Sequence, residues 1–215
     1  MNNFNKSIAF FAFGLLIFSC NKREIIPAPE PKVELKNHFF GKVQGSPVEL
    51  TQNVNGFKGS SGVDLVINAS ALDSAVYHSV FSSTSSMQSI SIGHGSLIFD
   101  WEATQKPSMS IFESFFLPLV NQQLPYASNG LTGFSVKYTD GSGRVWKSNN
   151  NGSYINENAS YSTMSMGSDS SGDYAKFRLG FDTYVYRTYF DPVTSTNITD
   201  SLLITDAVYT GWYKR

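Results

Sequence analysis

Two carboxylates flank an indole at Asp100-Trp101-Glu102. On an extended strand, residues i and i+2 share a face about 6.5–7 Å apart, a separation that an acid–base pair of carboxylates can use. The rest of the chain offers less. No Gly-x-Ser-x-Gly window marks a nucleophilic serine at a strand-to-helix elbow, and Gly59-Ser60-Ser61-Gly62 and Ser170-Ser171-Gly172 read as turns. His38, His78 and His94 are far apart, with no His-x-x-x-His pair to hold a metal. Gly93-His94-Gly95 reads as a turn. Asp140-x-Ser142 and Asp169-x-Ser171-Gly172-Asp173 carry hard oxygens, but neither fills a calcium loop, and one or two carboxylates bind calcium weakly. Ordinary Asp/Ser/Gly turn chemistry suits both. Neither a metal nor a cofactor is expected.

The remaining candidate is aromatic. From Phe177 to Tyr189, strand alternation places Phe177, Leu179, Phe181 and Val185 on one face, with Lys176, Arg178, Asp182, Tyr184 and Tyr186 on the other. If the first face is core, Tyr184 and Tyr186 stand side by side among charges. Flat exposed aromatics of this kind stack sugar rings, although tyrosines also serve simply to cover a half-wet strand surface. Trp146, in an earlier hairpin, is a third residue for such a binding face. Composition narrows the partners. With 16 Lys+Arg against 17 Asp+Glu the chain lacks the basic footprint that nucleic acid requires. Charged residues are 15% of the chain, well below the roughly 25% usual in soluble domains, and Ser, Thr and Asn supply the polarity instead. Aromatics at 14% are too many for a disordered chain.

These residues must be held by strands. His38–Val43 and 48–51 flank Gln44-Gly45-Ser46-Pro47, a hairpin signal. Segments 75–81, 89–92 and 97–101 alternate or are β-branched and aromatic. Gly133–Tyr138 and Arg144–Lys147 flank Thr139-Asp140-Gly141-Ser142-Gly143, where Asp-Gly favours a tight turn. Two long strands near 174–190 and 201–213 close the chain. Turn clusters recurring every 8–15 residues point to an all-β fold, an antiparallel β-sandwich. One segment differs. Apolar residues at 111, 112, 115, 116 and 119 have helical spacing, Ser110-x-x-Glu113 could cap the start, and Pro118 ends it. The expectation is one short helix plugging an open end of the sandwich.

The N-terminus gives location. Lys6 precedes an apolar run, Ile8 to Phe18, that fits a signal-peptide h-region and is too short for a bilayer core needing roughly 20 residues. It ends in Ile17-Phe18-Ser19-Cys20, with the chain's one Cys last. That order resembles the lipobox of bacterial lipoproteins. The resemblance implies removal of residues 1–19 and acylation of Cys20, with palmitate-like chains giving effectively permanent anchoring. Residues 20–36, with Pro27, Pro29 and Pro31, form a Pro-rich extended tether, and 37–215 the sandwich domain. One Cys leaves no intrachain disulfide.

Three features together resemble the small β-rich lipoproteins of Bacteroidetes type: the lipobox with its tether, the strand–Gln44-Gly45-Ser46-Pro47-Val48 opening hairpin, and Tyr138-Thr139-Asp140-Gly141-Ser142-Gly143-Arg144-Val145-Trp146. Ile204-Thr205-Asp206-Ala207-Val208-Tyr209 is similar to their closing strand, with Ala207 in place of Gly and Tyr209 in place of Phe. The resemblance implies a lipid-anchored sandwich in the cell envelope, at the outer membrane with the leaflet open, and transfers no catalytic residue. Its partners would be the membrane, through the anchor, and a glycan or envelope protein. The first expectation is therefore a non-catalytic binding or structural module. The alternative is a hydrolase of envelope or dietary polysaccharide. Asp100-Trp101-Glu102 is similar to the catalytic strand of concanavalin-like β-glucanases, but Ile98 stands where those enzymes carry a further Glu.

Overall fold

The computed structural model describes residues 31–67, 72–127, 131–148 and 158–215; the leader, Cys20, Pro27 and Pro29 lie outside the described residues. Lys32–Arg215 forms one compact unit. Its fold is all-β. In chain order it comprises β1 (His38–Val43), β2 (Ser46–Thr51), β3 (Phe57–Val66), β4 (Asp73–Ser83) and β5 (Ser89–Phe99), then two helices. These are α1 (Trp101–Thr104) and α2 (Met109–Phe116), the latter running into a 3-10 turn at Leu117–Leu119. β6 (Gly133–Thr139), β7 (Val145–Ser148), β8 (Asn158–Asp169), β9 (Gly172–Asp191) and β10 (Thr196–Lys214) complete the unit.

All the strand pairs are antiparallel, in the order β2-β1-β10-β9-β7-β6-β5-β4-β3. β9 is the fork. Its first half pairs with β8, and Val185 and Tyr186 further on pair with β7, so one long strand feeds two partners on the same edge. The sheet curls into a sandwich until the end of β10 lies beside β3 and β4. There Lys214 N–H donates to Ser61 Oγ (2.9 Å) and Trp212 N–H to Ser79 Oγ (3.2 Å). Asn37 closes this seam. Its Nδ2 donates to Tyr209 Oη and its Oδ1 accepts from Trp212 Nε1. The approach is tight enough that a Cβ on Gly59 would sit 1.8 Å from Asn37 Oδ1.

Local chemistry explains the turns. Gln44 and Gly45 both take positive φ (50° and 78°), the geometry that matches a two-residue hairpin to strand twist. Pro47 is tolerated because β2 is an edge strand. In β10, Asp206 has φ 53° at a bulge between Ile204 and Ala207, and its side chain reaches Lys42 Nζ at 2.8 Å. Ala207 is accommodated there because Gly41 lies opposite; a Cβ on Gly41 would come 3.3 Å from the Ala207 methyl.

The inner face is aromatic. Phe177, Leu179, Phe181 and Val185 are buried on β9 as their alternation predicts. The helix fills the sandwich as expected: Phe112 and Phe116 are fully buried, and Tyr77 meets both edge-on at 5.3 and 5.4 Å. Phe116 stacks on Tyr213 at 4.9 Å.

Three local expectations are corrected. The cap of α2 is Ser108, whose Oγ accepts from Ile111 N–H, and not Ser110, because the helix already begins at Met109, two residues before the first apolar pair. Asp100 and Glu102 are not on a strand. Asp100 is the N-cap of α1, accepting from Ala103 N–H, and Glu102 lies in that helix's first turn. Gly93-His94-Gly95 is no turn but the middle of β5. Both glycines there answer crowding: a Cβ on Gly93 would lie 2.3 Å from Ser135 Oγ, and one on Gly95 2.1 Å from the Leu131 carbonyl oxygen.

Candidate functional site

Alternation along β4 and β5 sends Tyr77, Phe81, Ile90 and Ile92 inward, and therefore His78, Ser91 and Gly93 outward. Register then sets these outward residues in rows across the strands. One row runs Gly62, His78, Gly93, Ser135 across β3 to β6. The next runs Val80, Ser91, Lys137, Lys147, Tyr186 across β4, β5, β6, β7 and β9. The first row is nearly all small side chains, and the surface sinks there. A concavity of about 500 Å³ results, floored by Ser91, Gly93 and Ser135, with Asp64 and His78 on one rim and Lys137 and Lys147 on the other.

His78 Nε2 and Asp64 Oδ2 are 2.9 Å apart, while its Nδ1 is turned over the Gly93 floor, 3.1 Å from where a Cβ would stand. Lys137 and Lys147 are directly paired across β6 and β7, and both are exposed. Neither has an ion-pair partner among the described residues.

Tyr184 and Tyr186 continue this outer face. Both are half-buried, and their rings lean on each other at 6.4 Å and 28°. Lys147 pairs directly with Tyr186, so the tyrosines lie next to the lysine rim on the same outer face, outside the lining of the concavity. Trp146 does not join them. As the residue before Lys147 it faces inward, is 3% exposed, and lies opposite Tyr138. Arginines cover it: the Arg187 guanidinium sits 5.1 Å from the indole and 4.4 Å from the Tyr189 ring, and Arg144 lies at 5.8 Å. Cation–π attraction of this kind fixes a buried indole in place.

Trp146 Nε1 donates to Asp140 Oδ2 (3.2 Å), which also takes Arg144 Nε at 2.7 Å; Asp140 Oδ1 accepts from the Ser142 and Arg144 amides. Burial would raise the Asp140 pKa, but these hydrogen bonds outweigh it and hold the carboxyl below its ordinary value. In the β8–β9 turn, Asp169 accepts from Ser171 Oγ and from Val33 N–H, which lowers it to about 2. Asp173 is engaged by Ser168 and Arg215. Both candidate calcium loops are thus hydrogen-bonded turns, and no group of three metal ligands occurs among the described residues.

The lysine pair was not singled out in the sequence, yet its signal was there. Once the Asp140-Gly141 hairpin is placed, Thr139 faces Val145, Tyr138 faces Trp146, and Lys137 must face Lys147. Comparison with protein-family models, with curated proteins and with solved structures returns no match to this chain.

Proposed function

We propose that this chain is a lipid-anchored protein of the bacterial cell envelope, held at the outer membrane through Cys20 and a Pro-rich tether, and that its sandwich is a non-catalytic glycan-binding module of the Bacteroidetes lipoprotein type. The observation that carries the binding reading is the polar concavity on the outer face, whose rim residue Lys147 pairs with Tyr186, the ring that leans on Tyr184. Carbohydrate sites combine a stacking ring with convergent hydroxyl, amide and charged groups; this face offers two phenol rings beside Ser91, Ser135, His78 and two lysines. The non-catalytic reading is supported by Asp100, the carboxylate an acid–base pair would need, serving as a helix cap.

Binding of the full-length protein to a panel of envelope and plant oligosaccharides tests the module. Tyr184→Ala/Tyr186→Ala is expected to weaken binding at least tenfold, the scale of about 1.4 kcal/mol. Undiminished binding by that variant would remove the face from consideration. The anchor is tested separately: Cys20→Ser should move the protein from the membrane fraction to the soluble fraction, and retention in the membrane would refute lipidation.

A further inference from the structure

Like charges set directly opposite across two strands destabilise a sheet, and nothing in the fold requires a lysine at both 137 and 147. Their outward neighbours along the row are Ser91 on one side and Tyr186 on the other, neither of which is acidic. Among the described residues the one carboxylate on the concavity, Asp64, stands on the far rim with an oxygen 2.9 Å from His78 Nε2. The described part of the cavity is therefore electrostatically divided, with two ammonium groups that have no ion-pair partner among the described residues on the side that adjoins the tyrosines.

We propose that this face selects acidic oligosaccharides, chains whose sugars carry a carboxylate. The proposal rests on the glycan-binding reading above and names its ligand class. Lys137 and Lys147 receive the carboxylate, each ammonium offering three donors that can swing to meet it. The neighbouring Tyr186 and Tyr184 rings receive the apolar face of the same or the adjoining pyranose. Ser91 and Ser135 hydroxyls and His78 Nδ1, turned over the glycine floor, meet the sugar hydroxyls. A Cβ at Gly93 would contact both Ser135 Oγ and His78 Nδ1, so glycine keeps the floor low enough for the ring to approach these groups. A neutral glycan would use the tyrosines and serines alone and leave the lysine repulsion in place; an acidic one relieves it.

The test uses full-length protein in detergent and matched ligands: oligomers of galacturonate, glucuronate and mannuronate, each beside its methyl ester, with polyglutamate as a non-sugar polyanion. Two exposed ion pairs predict about tenfold tighter binding of at least one acid form over its ester at low ionic strength, a difference that salt diminishes. Lys137→Gln/Lys147→Gln should abolish that difference, and a difference that persists in this variant overturns the assignment of the carboxylate to the lysines. Esters that bind as well as acids overturn acid selection and leave the glycan reading standing. Polyglutamate binding as well as the acidic sugars reduces the site to a general anion patch and also overturns it. Failure of every acid and every ester to bind sinks both readings.

Discussion

His78 and His94 lie within one step of the same β4–β5 ladder, since His78 pairs with Gly93, and they inhabit opposite solvents. His94 faces inward, 4% exposed, ringed by Phe115, Phe116 and Tyr161 at 5.6–6.2 Å, and its Nδ1 has no hydrogen-bond partner among the described residues. His78 faces outward beside Asp64 on the open slope of the concavity. The two ring environments show how one pleat divides labour. The inner surface is built from interlocking rings and tolerates an imidazole only in its neutral form. The outer surface leaves charges unmatched and space unfilled, which is what recognition of a ligand requires.

That division should appear when residues on the two faces are altered. The largest effect belongs to the inner face. Phe116→Ala removes a ring that touches Tyr77 and Tyr213, and a loss of about 3–5 kcal/mol is expected in urea unfolding. A loss under about 1 kcal/mol would mean that α2 is peripheral to the core. The second effect is pH-dependent. Burial pushes His94 down to about 4, from an ordinary value near 6.5. The unfolded chain therefore takes up the proton first as the solution is acidified. The stabilisation held by neutral His94 is complete above about pH 6.5, drains away between there and about pH 4, and amounts to about 3 kcal/mol in full. Unfolding midpoints of wild type at pH 7 and pH 4.5 should differ accordingly, and His94→Leu should flatten this limb. The smallest effect has the opposite sign. Lys137→Gln relieves the cross-strand repulsion and should raise stability by a few tenths of a kcal/mol. A destabilised variant would show that the lysine pair contributes to the fold, and the contrast between the faces would weaken.

Much of this architecture could be read from the chain, because burial leaves a periodic trace. The alternation of Phe177, Leu179, Phe181 and Val185 identified the inner face of β9, and the 111/112/115/116 spacing identified the plug. Asp140-Gly141 located the β6–β7 hairpin. What escaped depends on distant residues. Gly93 and Gly95 looked like turn glycines, but they are strand glycines required by Ser135 and the Leu131 carbonyl, which the chain brings in from about 42 and about 36 positions away. Alternation around Trp101 suggested a strand, and the Asp100 cap overrode it. The depth of Trp146 depends on Arg187, supplied by a strand beyond the next hairpin. The concavity itself exists only after five strands have been set in register, so no local pattern announces it.

Val33 N–H donates to Asp169 Oδ2 at 2.8 Å, tying the chain to the β8–β9 turn before it enters the sheet at His38. In mechanical terms this bond is where tension on the N-terminus is first met. A pull transmitted along residues 20–31 would load the Asp169 carboxylate before any strand of the sandwich. With its pKa lowered to about 2 by Ser171 Oγ and the Val33 amide, that carboxylate stays ionised and ready to accept at any ordinary pH. Force–extension curves should show a small early yield as residues 33–36 peel away up to the buried Asn37, a slack of about 14 Å at extended-strand spacing, and Asp169→Ala should erase that yield without moving the main rupture. The clasp would act as a shock absorber: drag on the N-terminal end is taken up in a short length of chain, and the face that carries the concavity keeps its shape.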